Sequence, residues 1–346
     1  MVLRRLLLAV SILVIGCGGE DTDPDSGLPG QTNTGGVEGP SDTGTTVSNT
    51  GEIEGPDFIG GSWKTGECGE ALFLDVAAYA GPGGSYPMPE LSVTCTESLR
   101  QVTSNGIPHY TYLDMTPNGL EAQNFNWEVP LNPEEAATSS QIPCLGTVGY
   151  SINGIPLYGP NEGPFPDPYG DPIANDVMDW CLGHTGGNAD YHYHGLDGGC
   201  MAIADTEGAS PVLGFALDGF PIYGPRGCLD EDCTEVVSFL SSWEPVNPTE
   251  EGCSSDTVCD TDQVCAEAVV NGKNTTACVA KDYAWDNHQF VAQDGAQYLD
   301  ECNGRVGPDG TYRYHATSTF PYILGCFKGT ATNAGGAMGS SECPSR

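Results

Sequence analysis

The chain has 346 residues, of which 47 are Asp or Glu and 11 are Lys or Arg, giving a formal net charge of −36. That balance excludes a nucleic-acid binder, whose affinity comes from cationic side chains on phosphates, and a polybasic face for anionic lipid; it favours a soluble surface that attracts cations. With 48 Gly, 26 Pro and 38% hydrophobic residues the fold is expected to be loop-rich, yet 15 Tyr, 10 Phe and 5 Trp suffice for one sizeable core or two small ones.

Residues 1–16 read as an export signal. Arg4 and Arg5 precede an apolar run from Leu6 to Ile15, too short for a permanent membrane span. The end of the run, Leu13-Val14-Ile15-Gly16-Cys17, resembles a bacterial lipobox, which implies cleavage before Cys17 and acylation of its thiol. Several acyl chains anchor a protein where one gives only marginal binding, so a lipid bilayer of the bacterial cell envelope, outer membrane expected, is the partner. Residues 17–56 then form an acidic Gly/Thr/Ser linker, without Lys, Arg or aromatic residues from 18 onward. Such a composition buries too little apolar area to offset chain entropy. It repeats Asn33-Thr34-Gly35-Gly36-Val37-Glu38-Gly39-Pro40 as Asn49-Thr50-Gly51-Glu52-Ile53-Glu54-Gly55-Pro56, which adds reach and not a fold. Asp21, Asp23 and Asp25 lack the downstream Glu of a calcium loop and read as acidic spacer.

Residues 57–346 are expected to be one all-β, loop-rich domain built as a pseudo-duplication. Gly149-Tyr150-Ser151-Ile152-Asn153-Gly154-Ile155-Pro156-Leu157-Tyr158-Gly159-Pro160 recurs as Gly214-Phe215-Ala216-Leu217-Asp218-Gly219-Phe220-Pro221-Ile222-Tyr223-Gly224-Pro225. A shortened third copy is Asn105-Gly106-Ile107-Pro108-His109-Tyr110. Asn-Gly and Asp-Gly between apolar flanks predict a β-hairpin in each copy, and the Pro that cannot donate to a ladder predicts a free edge beside it. Residues 134–140 allow at most one or two helical turns. A second repeat follows at an offset of 121: Asp179, Cys181, Gly183, Tyr191, Tyr193 and His194 recur as Asp300, Cys302, Gly304, Tyr312, Tyr314 and His315.

Fifteen Cys less Cys17 leave 14, an even number that export makes a disulfide framework. Cys228, Cys233, Cys253, Cys259, Cys265 and Cys278 share one acidic segment, read as a self-contained disulfide-rich insertion over 228–281; the other eight are spread over the rest.

Three of the six His lie in the first copy of the second repeat. In an extended strand His192 and His194 project from one face and Tyr191 and Tyr193 from the other. With His184 from a nearby loop they have the spacing of a three-imidazole metal site, and His315 completes it if the two halves meet. Oxidised thiols leave imidazole as the ligand, which suits zinc, copper(II) or iron over magnesium or calcium, with copper or zinc the expected cofactor. Asp190 and Asp197 are candidate acceptors for the outer ring N–H groups. The alternative is a half-buried sheet with aromatics packed inward and imidazoles hydrogen-bonded at its surface. His109 and His288 read as structural. Arg305 and Arg313 stand where the first copy has His184 and His192. Either they pair with Asp300 or Asp309, or they hold a small anionic ligand near the metal.

The chain resembles the YHYH-domain proteins, a group of exported proteins named for the tetrad Tyr191-His192-Tyr193-His194. The resemblance also rests on residues 214–225, on Leu299-Asp300-Glu301-Cys302-Asn303-Gly304-Arg305, and on Tyr312-Arg313-Tyr314-His315 with Phe320-Pro321-Tyr322-Ile323-Leu324-Gly325-Cys326. It implies an exported domain with a His-bearing tetrad and no settled activity, from whose pattern Arg305 and Arg313 depart in place of His. Three functions follow: a membrane-anchored lipoprotein binding a transition metal, losing it below about pH 6 as imidazole protonates; a metal-dependent hydrolase or oxidase using the same site; or a structural, adhesive surface domain with loop contacts such as 163–172. Catalysis lacks support from any G-x-S-x-G or H-E-x-x-H motif.

Overall fold

Turn chemistry sets the frame of the domain. Gly154 and Gly219 take φ of 80° and 92°, open to glycine without steric cost, and each closes a hairpin. The computed structural model describes residues 53–163, 169–175, 177–204, 207–245, 259, 263–270, 273–280, 285 and 288–332, all within one unit. The export signal, Cys17, linker residues up to 52, residues 164–168 of the expected contact loop and parts of the insertion lie outside the described residues.

In chain order the strands are β1 (Leu91–Cys95), β2 (Leu99–Ser104), β3 (Phe125–Pro130), β4 (Glu135–Gln141), β5 (Thr147–Ser151), β6 (Pro156–Tyr158), β7 (Gly183–Thr185), β8 (Tyr191–Tyr193), β9 (Val212–Ala216), β10 (Pro221–Tyr223), β11 (Arg226–Cys228), β12 (Val236–Ser238), β13 (Trp243–Pro245), β14 (Gln263–Val270), β15 (Lys273–Ala280), β16 (His288–Phe290), β17 (Gly304–Val306), β18 (Tyr312–His315) and β19 (Cys326–Gly329). Helical structure among the described residues is limited to three short 3-10 turns, so the fold is all-β.

Eight strands form the central sheet in the order β17-β18-β10-β9-β5-β6-β8-β7. From either end the pattern is the same. An outer antiparallel hairpin lays one strand parallel to a Gly-turn hairpin, with Leu157 opposite Tyr193 in one half and Ile222 opposite Tyr314 in the other. The two Gly-turn hairpins meet along β5 and β9. Local contacts recur as well. Asp179 accepts from the Cys181 and Gly183 amides and the Tyr191 hydroxyl, and Asp300 accepts from those of Cys302, Gly304 and Tyr312.

A second sheet, β1-β2-β3, packs its apolar face on this one. Trp127 stacks on Tyr150 with centroids 5.2 Å apart, and the fully buried Arg100 lays its guanidinium 3.7 Å over Phe215. Its charge is held by hydrogen bonds to the Cys68 and Glu67 carbonyls.

Three expectations are corrected. The third copy at Asn105-Gly106 turns no hairpin; its Asn side chain ties the Glu90 amide and the Met88 carbonyl, and His109 and Tyr110 enter the core. Pro156 and Pro221 border no free edge: each opens a strand that is flanked on both sides, a position where the missing N–H is tolerated. Residues 135–141 form a strand, because pairing with β19 overrides the helical propensity of Glu135, Ala136 and Ala137, a run too short to nucleate a helix.

The described disulfides are Cys68–Cys95, Cys181–Cys200, Cys228–Cys233, Cys259–Cys278 and Cys302–Cys326; Cys144 and Cys265 are also bonded. None of the described pairs links the 228–281 set to the other, and bonded cysteines are consistent with an exported, oxidising compartment. Among the described residues no helix is long and apolar enough to cross a membrane.

Candidate metal centre

The hairpin β7–β8 builds the site. Antiparallel register sets His184 directly opposite His192, and His194 lies one residue beyond β8. Strand alternation sends the two tyrosines to the other face, where the Tyr110 hydroxyl meets those of Tyr191 and Tyr193 at 3.0 and 2.7 Å and Tyr191 donates to Asp179 at 2.6 Å. This buried phenol network fixes the strand from behind. Burial pushes the hydroxyls of Tyr110, Tyr191 and Tyr193 up, so they act as neutral donors.

On the front face the three imidazoles converge. Ring centroids are 4.8 to 5.1 Å apart, all three residues are buried, and Nε2 of His192 lies 3.1 Å from Nε2 of His194. One ligating atom from each falls within 4.8 Å of the others. The outer nitrogens explain the orientation: Nδ1 of His184, His192 and His194 contacts the carbonyls of Val177, Asp190 and Gly159 at 3.2, 3.2 and 2.7 Å. A carbonyl only accepts, so each Nδ1 carries the proton and each Nε2 turns a lone pair inward. Tyr158 stacks on His192 at 3.9 Å and donates to Asp190. Burial, helped by the neighbouring rings, holds His192 well below the ordinary imidazole range, and burial lowers His194 to about 3. Three Nε2 atoms thus converge, and burial keeps the His192 and His194 rings neutral. The neutral donors fit a borderline metal; the second reading, of imidazoles at a sheet surface, does not describe rings this buried.

The other sequence-predicted residues divide. Asp190 is in place, its carbonyl on His192 Nδ1 and its carboxylate 3.7 Å from the same ring. Asp197 is not: it is exposed and its side chain accepts from the Gly199 amide. His315 does not complete the triad, because β18 lies near the opposite edge of the sheet from β8, with β10, β9, β5 and β6 between them. Arg305 and Arg313 share that far end and hold nothing near the triad. Arg313 pairs with Asp309 as expected, whereas Asp300 sits beside Lys328 and Arg305 donates to the Cys228 carbonyl. His288 stacks on Phe320 and His109 packs between Tyr79 and Tyr110, both structural surroundings. A second grouping, Glu301 with Cys302 and Cys326, is closed to metal by the disulfide.

Sequence reasoning missed Glu162. Its Oε2 lies 3.1 Å from His184 Nε2 and 3.7 Å from His194 Nε2, with the side chain 23% exposed beside fully buried rings. The available signal was its place three residues after Gly159, the residue whose carbonyl orients His194.

No curated protein and no solved structure gives a significant match to this chain. Residues 126–329, which carry both tetrads and the whole central sheet, match the family described as YHYH protein. The match spans more than half of the chain, which therefore belongs to the YHYH protein family.

Proposed function

We propose that the protein is an exported lipoprotein, anchored to a bilayer through acylated Cys17, whose domain binds one zinc or copper ion through His184, His192, His194 and Glu162. The observation that carries this reading is the inward set of Nε2 lone pairs, each fixed by a carbonyl behind it. Two ligand nitrogens on one tetrahedral zinc, at bond lengths of about 2.0–2.1 Å, stand about 3.3 Å apart. The 3.1 Å between His192 and His194 is close to that spacing. Glu162 as fourth donor closes the coordination sphere, which supports binding over catalysis. A hydrolase or oxidase would need an open position and thus displacement of this carboxylate.

The test is metal content. Full-length chain, exported and purified, is loaded with zinc or copper, dialysed and measured by mass spectrometry. About one ion per chain is expected, and none in His192→Ala/His194→Ala. A metal-free wild type after loading overturns the reading. Glu162→Gln should weaken affinity by roughly 10- to 100-fold without changing stoichiometry. Because burial keeps His192 and His194 neutral in acid, proton competition sets in well below the pH 6 expected from free imidazole, and metal should be retained at pH 5.

A further inference from the structure

The far end of the central sheet repeats the geometry of the triad with different side chains. Arg305 on β17 lies directly opposite Arg313 on β18, as His184 lies opposite His192, and His315 follows Arg313 by two residues as His194 follows His192. His315 Nδ1 contacts the Gly224 carbonyl at 2.8 Å, as His194 contacts that of Gly159. Arg226 follows the second Gly-turn hairpin two residues after Gly224, one short of the place Glu162 takes after Gly159. Together with Lys64 these arginines border a cavity of about 440 Å³, also lined by Tyr223 and Phe239. Four of the chain's 11 Lys and Arg therefore face one cavity in a molecule of net charge −36.

The cationic side chains are incompletely satisfied. Two guanidinium groups directly opposite across a strand pair repel. Arg313 has a carboxylate partner in Asp309, but among the described residues Arg305 has none; it donates to the Cys228 carbonyl at 3.1 Å and lies 4.5 Å over Phe239. Three acidic groups border the cavity: Asp309 is thus engaged, Asp230 accepts from Thr234, and Glu231 is exposed to solvent. Arg313 Nε and His315 Nε2 are buried without a hydrogen-bond partner, and His315 is only 2% exposed. Its Nδ1 donates to a carbonyl, so the orphaned Nε2 is an acceptor. The cavity thus offers guanidinium donors beside one neutral acceptor. A carboxylate or sulfate meets the donors but brings no hydrogen for His315. A phosphate that keeps a P–OH meets both.

We propose that this cavity binds a phosphate group, with Arg305 and Arg313 on its anionic oxygens and its P–OH donated to His315 Nε2. The site is independent of the His184–His192–His194 centre. Calorimetric titration of the metal-free full-length chain at about pH 5.5, where both phosphate probes keep a P–OH, tests it, with inorganic phosphate, phenyl phosphate and sulfate as probes. Saturable phosphate binding is expected, about tenfold or more tighter than sulfate, because sulfate leaves the buried His315 acceptor unpaired. Phenyl phosphate binding more tightly than inorganic phosphate identifies an organic monoester as the ligand; the reverse identifies inorganic phosphate. Arg305→Gln should lose at least about tenfold in phosphate affinity with its near-ultraviolet circular dichroism unchanged. Absence of saturable phosphate binding by the wild type, or equal affinity for sulfate, overturns the proposal, and that comparison needs no variant to fold.

Discussion

Gly149→Ala and Gly214→Ala should each destabilise the domain by about 3 kcal/mol, among the costliest single methyl additions in this chain. These two glycines occupy equivalent positions on β5 and β9, where the halves of the sheet meet. A Cβ on Gly149 would stand 2.6 Å from the Phe215 carbonyl oxygen, and one on Gly214 the same distance from that of Tyr150. The obstacle in each case is backbone of the neighbouring strand, which cannot rotate away as a side chain would. Relief requires the strands to separate, and with them Tyr150 and Phe215, both fully buried. Gly119→Ala and Gly187→Ala are the controls: a Cβ there meets nothing within 4 Å, and a change within about 0.5 kcal/mol is expected. Denaturant midpoints for the four variants decide the matter. Equal midpoints would show that the two halves are not locked by this close approach.

The second large effect is acid destabilisation. His109 and His315 lie outside the triad, and burial lowers both to about 3, with Arg313 and Arg305 lowering His315 further. In the unfolded chain they titrate near 6.5, so below that pH the unfolded state takes up protons that the native state refuses. Stability is therefore full above about 6.5 and falls as pH drops toward 3. The slope is about 1.4 kcal/mol per pH unit for each imidazole, hence about 3 kcal/mol per unit for the pair. His192 and His194 steepen the loss with or without metal, because the native rings take up no proton in either form, so zinc should add similar protection at pH 7.5 and at pH 5.5. Asp171, Asp179, Asp190, Asp218 and Asp300 oppose it: burial raises each, they bind protons in the native state before the unfolded one, and they flatten the curve in the carboxylate range. Thermal midpoints at pH 7.5, 6.5 and 5.5, with and without zinc, measure this. A midpoint that does not move across that window would mean these rings are solvated and charged in the native protein.

Features set by a few neighbouring residues were legible in the sequence. Alternation along Tyr191-His192-Tyr193-His194 requires imidazoles on one face and phenols on the other, and the structure has them so. Asn153-Gly154 and Asp218-Gly219 turn hairpins because the glycine of each accepts the positive φ required there. The same dipeptide at Asn105-Gly106 turns none, since the chain after it is drawn inward by Ile107 and Tyr110. Glu162 escaped notice because no local period marks it. It reaches the triad only through the parallel pairing of β6 with β8, a contact between segments some 35 residues apart.

Composition, charge, turn residues and strand alternation, all short-range properties, were enough to define an all-β chain with His192 and His194 on one strand face, whereas His184, expected on a loop, stands on the paired strand β7. Which groups share a site was decided by the order of strands across the sheet. Because β5 joins β9 at the centre, the two tetrads are driven to opposite edges, so that His315 keeps company with arginines and Glu162 with histidines. Such pairings depend on burial of both sheet faces at once, a free energy spread over the whole core that no stretch of ten residues contains.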